Sequence, residues 1–511
     1  MVRAASISAN MKDMHAFVHN PGRGSKQKLV AIALAVLLGL IAAFLVVLKP
    51  VLGIGFVLGF IFFACICSRA ELAYAILLLS FAIPVQKTLG GLPLNMSDAM
   101  IVVWGMAWPF LMLKKQNPLS FLSPETQNFE IPKVIWFALP FVGAAFISLI
   151  GAENFFGSFK QAVRLIEWFI ILPVLFMSLQ IYKRFWDIAA LLFLIIPSFF
   201  ALDGIVEVLN HGNSITHMLG IPVPVPPKEL SEIRHTYDVS GRAGSTFGGA
   251  QGFAMYLTMM MAVIFAIVLK PPRPAFRVLG IFALLLCLGG LVAAQSRGGL
   301  LGFLVMAYVG CLLSYPKPAF KTGLIGAIIL MLGLMTFMVF AGWDGTITGL
   351  IPGRESAVLD RLIIWNRAFM TFLTHPINGV GFGGFHDYVY DHGGIQLNVG
   401  LGYASLHSHN TYLEVLDGTG IIGFGTYLAF LILTSRHLLK VWKHRPHLET
   451  DCFILGAMGA LSAYMMFGMV DMLFLQNMHM ILVSILTLGF IAARLKNIPQ
   501  KPFLAVTEKS N

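Results

Sequence analysis

The chain has 511 residues, of which 57% are hydrophobic and 12% charged, about half the charge usual in soluble domains. With a mean hydropathy of +0.80, this excludes an ordinary soluble enzyme and leaves a polytopic helical membrane protein, because apolar runs of about twenty residues match the hydrocarbon thickness and the alternation of a β-barrel is missing. The formal net charge of +11 reads as Lys and Arg gathered in cytoplasmic connections, so no nucleic-acid partner is expected.

Residues 1–28 are polar and basic, a cytoplasmic tail. Apolar runs then predict membrane spans at 29–48, 51–68, 70–86, 98–113, 133–151, 164–181, 186–206, 249–269, 277–295, 299–315, 322–341, 420–439, 453–471 and 477–494, about fourteen transmembrane helices in an all-α fold. The first run ends at Lys49-Pro50 without a small-residue cleavage site, which reads as a span and not a signal peptide. The expected organisation is a set of N-terminal membrane helices over 29–151, a second membrane domain over 155–494 and a cytoplasmic tail over 495–511. With the N-terminus inside, the basic clusters Lys114-Lys115, Lys183-Arg184, Lys317 to Lys321 and Arg436 to Arg445 all fall on the cytoplasmic side, which places both termini there. The tight junctions at Lys49-Pro50 and at Gln295-Ser296-Arg297 leave re-entrant pairs as an alternative.

Two outer, periplasmic connections are long, 207–248 and 342–419. Connections of that length usually carry function. In the second, Asp360 to Leu373 has helical periodicity with Leu362, Trp365, Phe369 and Phe372 near one face, before His375-Pro376 ends it. The GxGxxG that begins at Gly379 has no βαβ context and lies on the outer side, so a nucleotide fold is rejected. The five cysteines show no CxxC and no Cys/His cluster at metal spacing, and neither a disulfide framework nor a metal site is expected.

The chemistry-bearing residues gather at the outer face. His409, in His407-Ser408-His409-Asn410-Thr411-Tyr412-Leu413-Glu414, puts an imidazole at the membrane interface, suited to general-base work near neutrality. The bland reading is a histidine bonded to nearby backbone. Arg242, Arg297 and Arg361 each sit at or near a predicted helix end, where a guanidinium either binds an anion such as a diphosphate or snorkels to lipid headgroups. Arg297 is bracketed by two apolar spans with hardly any loop to lift it into water. Arg164, four residues after Lys160, has at most a minor role. Asn410 and Glu414 are substrate-binding candidates beside His409, Glu414 with a capping or solvated role equally open. Asp471 and His479 read as polar packing between helices and fall outside the predicted site.

These pieces, in order, resemble the O-antigen ligase and polymerase superfamily of bacterial envelope glycosyltransferases. Arg242-Ala243-Gly244-Ser245-Thr246-Phe247 is similar to the family's Arg-x-x-Gly-x-Phe, Ser296-Arg297-Gly298 to its Ser-Arg-Gly turn, and Arg361-x3-Trp365 with Pro376-Ile377-Asn378-Gly379-Val380-Gly381 to its Arg-x3-Trp and Pro-x-x-Gly-x-Gly element. His409-Asn410 followed after nine residues by Gly420-x-x-Gly423 resembles the ligase pattern. One position departs: Gly418, beside Asp417, stands where many members have Glu. The resemblance covers about residues 155–490.

The resemblance implies a GT-C-like membrane glycosyltransferase of the bacterial inner membrane that takes a glycan from undecaprenyl diphosphate and passes it to an acceptor saccharide at the periplasmic face. It implies inversion at the anomeric carbon, no cofactor and no metal. His409 would be the base, and Arg297, with Arg242 or Arg361, would stabilise the departing diphosphate. A flippase and a chain-length regulator are the implied protein partners. The long outer loops lean towards polymerisation of exopolysaccharide or O-antigen repeat units, with ligation to lipid A core as the alternative. A bicarbonate-like solute transporter is the alternative of another class, disfavoured because carriers typically show inverted repeats and this chain shows none.

Overall fold

The structure, a computed structural model, describes residues 63–67, 70–83, 86–89, 92–115, 131–179, 183–220, 242–247, 249–315, 355–395, 407–443, 449–474 and 478–495. The chain divides into two compact units, Met1–Arg69 and Ala70–Asn511. In the first, residues 63–67 are helical. The predicted spans 29–48 and 322–341, most of 51–68, and the proline-rich stretch 221–227 lie outside the described residues.

The second unit contains α1 (Ala70–Phe81), a hairpin of β1 (Gln86–Leu89) and β2 (Leu92–Asn95), α2 (Met96–Lys115), α3 (Lys133–Ile147), α4 (Phe155–Ile166), a π-helical turn (Glu167–Ile171), α5 (Leu172–Phe176), α6 (Lys183–Leu209), α7 (Ile215–Met218), α8 (Ala250–Leu269), α9 (Pro274–Ala294), α10 (Arg297–Ser314), α11 (Glu355–Thr374), α12 (Phe385–Asp391), α13 (Thr411–Lys443), α14 (Asp451–Phe467) and α15 (Met478–Leu495). Among the described residues six helices are long and apolar enough to cross a membrane, and four shorter apolar helices accompany them. The chain is thus a polytopic helical membrane protein.

Three expectations change in detail. The span predicted to run to 86 stops at Phe81, and an antiparallel hairpin that pairs Gln86 with Asn95 follows it, so the described fold is not purely helical. Polar Gln86, Lys87, Asn95 and the intervening Gly90-Gly91 favour a turn over a continued span. The span predicted from 164 begins nine residues earlier, at Phe155, where Asn154 caps the helix by accepting from the Gly157 N–H. The span predicted from 420 begins at Thr411 and is broken at Gly420.

The Gln295-Ser296 junction is a tight reversal between two separate helices. Gln295 ends α9 in the left-handed region at φ +48, and the Ser296 hydroxyl starts α10 by accepting from the Gly299 N–H. Of the six long spans α8 is the most enclosed, packed by α6, α9, α10, α14 and α15. Small residues permit the close approaches that membrane helices need. A Cβ at Gly290 of α9 would meet the Ala201 backbone of α6 at 3.0 Å.

The long second outer connection folds around a small core of its own. Ile364 and Ala368 of α11 pack with Val380, Phe385, Tyr388 and Val389, while Leu362 and Phe369 of the predicted apolar face are exposed. Helix α11 is therefore apolar on two sides, one against this core and one outward. The glycine loop that follows it closes on α13. Gly420, at φ +62, interrupts the helical hydrogen bonds, so the Ile421 N–H bonds the Pro376 carbonyl (2.9 Å) and the Val380 N–H bonds the Asp417 carbonyl (3.0 Å). The glycines of the GxGxxG thus serve backbone-to-backbone packing: a Cβ at Gly379 would lie 2.4 Å from the Gly418 carbonyl carbon.

Candidate active site

The turn Gly468–Asp471, between α14 and α15, is the hub where the starts of α8, α10 and α13 meet. The Thr411 N–H donates to the carbonyls of Gly468 (2.8 Å) and Asp471 (3.2 Å), and the Thr411 hydroxyl donates to the Asp471 carbonyl (2.9 Å). Val470 packs on Gly298, in the first turn of α10, and the Asp471 carboxylate reaches Gln251, in the first turn of α8. The N-termini of α8, α10 and α13 therefore all border this turn. Each brings the partial positive charge of a helix start, which favours an anion, although the first N–H groups of α13 are already taken by Asn410 and by the turn's carbonyls.

His409 immediately precedes α13's cap. Its Nδ1 lies 3.2 Å from Asp471 Oδ1, with the His409 side chain 32% exposed and that of Asp471 only 8%. Burial pushes the Asp471 carboxyl up, but the hydrogen bond from His409 and the charges of His409, His407 and Arg361 outweigh it and hold the group below the usual carboxylate value. An ionised carboxylate only accepts, so His409 carries a proton on Nδ1, and in the neutral imidazole the Nε2 lone pair is then the one available. The pair is an imidazole oriented by a buried carboxylate. The backbone is strained in support: His409 sits at φ +49, as non-glycine residues at working sites often do.

The Arg361-x3-Trp365 spacing puts both side chains on this dyad, one helical turn apart. Trp365 Nε1–H donates to the His409 carbonyl at 3.4 Å. With the Gln251 amide turned so that each end meets a complementary partner, Arg361 donates to its oxygen at 2.9 Å and its nitrogen donates to Asp471 Oδ2. The chain runs from Arg361 through Gln251 to Asp471, which accepts from His409 on its other oxygen. His407 completes the cluster, its ring 4.2 Å from that of His409. Burial, helped by the charges of His409 and Arg361 and opposed by Asp471, pushes the His407 imidazole down to about 3, so it stays neutral at physiological pH.

Two predicted substrate residues have hydrogen-bond partners within the fold. Asn410 caps α13: its side-chain oxygen accepts from the N–H groups of Tyr412 (3.0 Å) and Leu413 (3.1 Å), and its amide donates to the Met469 carbonyl. Glu414 is 2% exposed and reaches back to accept from the Ser408 N–H at 2.8 Å, which sets the turn that presents His407 and His409.

Arg242 donates from Nε to the Ala294 carbonyl at 3.1 Å, and the Ala243 N–H bonds the Ala293 carbonyl. It thus ties its motif to the end of α9, beside the Gln295-Ser296-Arg297 junction. From the other side, Glu207 of α6 accepts from the N–H groups of Gly244 and Ser245, and Asp203, one turn away, accepts from the Ser245 hydroxyl and from Thr216. Arg297 opens α10 with its side chain exposed, not enclosed between spans, because the Ser296 cap leaves the first helical residue at the rim. Arg164 belongs elsewhere, its charge felt by Asp98 and Glu167.

Asp471 is the residue that sequence reasoning left out. Its one signal was a carboxylate at a membrane-helix end, a costly placement that asks for a partner. His479 does turn out to be packing: its Nε2 accepts from the Tyr464 hydroxyl at 2.6 Å and its ring stacks on Phe474. Asp417, beside the departing position Gly418, is buried, and neither carboxylate oxygen has a hydrogen-bond partner among the described residues.

Residues 282–428 match the family model described as O-antigen ligase, which bears out the resemblance to the O-antigen ligase and polymerase superfamily. The matched stretch includes Arg297, Arg361, His409, Asn410 and Glu414. Arg242, Gln251 and Asp471 lie outside it. No curated protein matches the chain.

Proposed function

We propose that this chain, a membrane enzyme of O-antigen ligase and polymerase type by its match over residues 282–428, transfers a glycan from undecaprenyl diphosphate to an acceptor sugar hydroxyl at the periplasmic face of the bacterial inner membrane. The observation that carries the reading is the His409–Asp471 pair, 3.2 Å apart, set among three helix N-termini and next to Arg361. His409 Nε2 takes the acceptor proton as the oxygen attacks the anomeric carbon. Asp471 holds the imidazole in the required tautomer and stabilises the imidazolium that forms. The carbon–phosphate oxygen bond breaks on the opposite face, inverting the configuration.

The diphosphate that leaves meets Arg361, the exposed Arg297 and the helix N-termini, which stabilise its negative charge. In this reading Arg242 acts through the backbone it anchors, and Asn410 and Glu414 act by holding the His409 turn. Polymerisation of exopolysaccharide or O-antigen repeat units remains the favoured form of the reaction, with ligation to lipid A core as the alternative.

Complementation of a deletion strain tests the reading, with gels reporting glycan length and lipid attachment. Single repeat units in the deletion identify a polymerase, and full-length polymer retained on undecaprenyl diphosphate identifies a ligase. A folded His409→Ala protein that restores the wild-type glycan, or a deletion that leaves the glycan unchanged, overturns the proposal.

A further inference from the structure

The sequence shows no metal-ligand spacing because the third donor is remote: Asp471 follows His409 by 62 positions. In the fold, one nitrogen from each of His407 and His409 and one carboxylate oxygen of Asp471 lie within 4.8 Å of one another. A zinc ion with ligand distances of about 2.0–2.1 Å holds tetrahedral ligand pairs about 3.3 Å apart. His409 Nδ1 and Asp471 Oδ1, at 3.2 Å, already have that separation. Bringing the longest pair to it is a movement of at most about 1.5 Å, within reach of rotations of a short side chain.

The donor chemistry also fits. Zinc ligands bind deprotonated, and imidazole nitrogens and a carboxylate oxygen are among the donors zinc takes. Two imidazoles and a carboxylate are a usual three-ligand zinc set with the fourth position left to water, and the 32% exposure of His409 gives an entry path.

We propose that His407, His409 and Asp471 form a site for a divalent cation of zinc type, and that its occupancy inhibits the enzyme. Zinc replaces the proton between His409 and Asp471. With the metal on Nδ1, the neutral imidazole carries its proton on Nε2, and the lone pair that would accept the acceptor proton is gone. The neighbouring Arg361 guanidinium opposes a second cation, which makes the metal a competitor for the site and not a resident. The inhibitory half rests on the transfer reading above; the binding half does not.

The test uses the full chain in lipid nanodiscs, titrated with zinc sulfate at fixed neutral pH, with bound metal measured by equilibrium dialysis and geometry by the visible spectrum of the cobalt-substituted protein. One zinc per chain is expected. It should be lost in His407→Ala and in Asp471→Asn, each checked by thermal unfolding, and kept in His217→Ala, an exposed histidine elsewhere. Arg361→Gln should bind more tightly, because it removes the opposing charge. Zinc binding equal in wild type, His407→Ala and Asp471→Asn, or no stoichiometric binding, overturns the site. In the transfer assay zinc should inhibit wild type and a chelator should restore it. Bound zinc without inhibition, or with stimulation, overturns the inhibitory half. A chain that binds zinc but transfers no glycan in its metal-free form leaves the site standing and removes the transfer reading.

Discussion

Asp471→Asn removes one charge and almost no volume, and the hydrogen-bond directions around the site make its effect calculable. Asp471 accepts three times, from His409 Nδ1–H and the Met472 N–H on one oxygen and from the Gln251 amide nitrogen on the other. An asparagine offers one acceptor and one donor. If its nitrogen faces Gln251, two donors meet, and Gln251 relieves this only by turning its own nitrogen towards Arg361. If its nitrogen faces His409, the imidazole is driven to the tautomer with Nε2 protonated, and the base is lost.

Loss of a positioned general base costs about 10²–10⁴ in rate. The 3.2 Å separation is long for a charge-assisted bond, usually 2.7–2.9 Å, so the expected loss is near the lower end, about 100-fold or 3 kcal/mol. The assay is the initial rate of transfer from a lipid-linked donor in nanodiscs across pH, with thermal unfolding in parallel. A variant that unfolds like wild type and stays within about threefold of its rate would refute the reasoning, since that interval is under 1 kcal/mol.

Four further outcomes follow from the same geometry. Glu414→Ala orphans the buried Ser408 N–H and should cost about 1–3 kcal/mol of stability by thermal unfolding, with transfer falling because the His409 turn loosens. Asp203→Ala strips acceptors from Thr216 and Ser245 and should destabilise by about 1–3 kcal/mol for each orphaned buried group, a loss that thermal unfolding reads directly. Gly420→Ala places a Cβ 2.3 Å from the Ile377 carbonyl oxygen at φ +62 and should not accumulate as a monodisperse species in size-exclusion chromatography.

The fourth concerns pH. His407 titrates near 3 in the fold against an ordinary 6.5. Between those values the unfolded chain binds a proton that the folded chain refuses. Stability contributed by this group is complete above pH 6.5 and is lost as pH falls, by up to about 1.4 kcal/mol per unit. Thermal unfolding of wild type beside His407→Gln should isolate that slope.

Arg361 and Trp365 show how far a motif can be read along the chain. Their one-turn spacing is a property of a helix, and in the fold it brings both side chains to the His409–Asp471 pair. The reach of Arg361 through Gln251 to Asp471 was invisible, because Gln251 belongs to no pattern and meets its partners only when α8 and α11 are packed. His409 was legible for a similar local reason: an interfacial imidazole followed by a helix start. Asn410 and Glu414 stand beside it, and the fold adds that Asn410 caps α13 and Glu414 bonds the Ser408 N–H, contacts that spacing alone does not reveal, since a carboxylate or amide near a helix start looks the same whether it caps the helix or faces a substrate.

Hydrophobic run lengths determined by themselves that the chain crosses a membrane many times and where most described spans begin and end, because burial in lipid depends on composition over about twenty residues and little else. Ser296 and Asn410 as caps and Gly420 as a break act within a turn of their own position, but those roles emerged only with the fold. What only the tertiary structure decided is which distant groups share a proton. His409 and Asp471 stand 62 positions apart, and their pairing depends on the turn Gly468–Asp471 being held against Thr411 by backbone hydrogen bonds. Hydrogen bonds act over about 3 Å, a distance that no spacing along the sequence encodes once the partners lie on different helices.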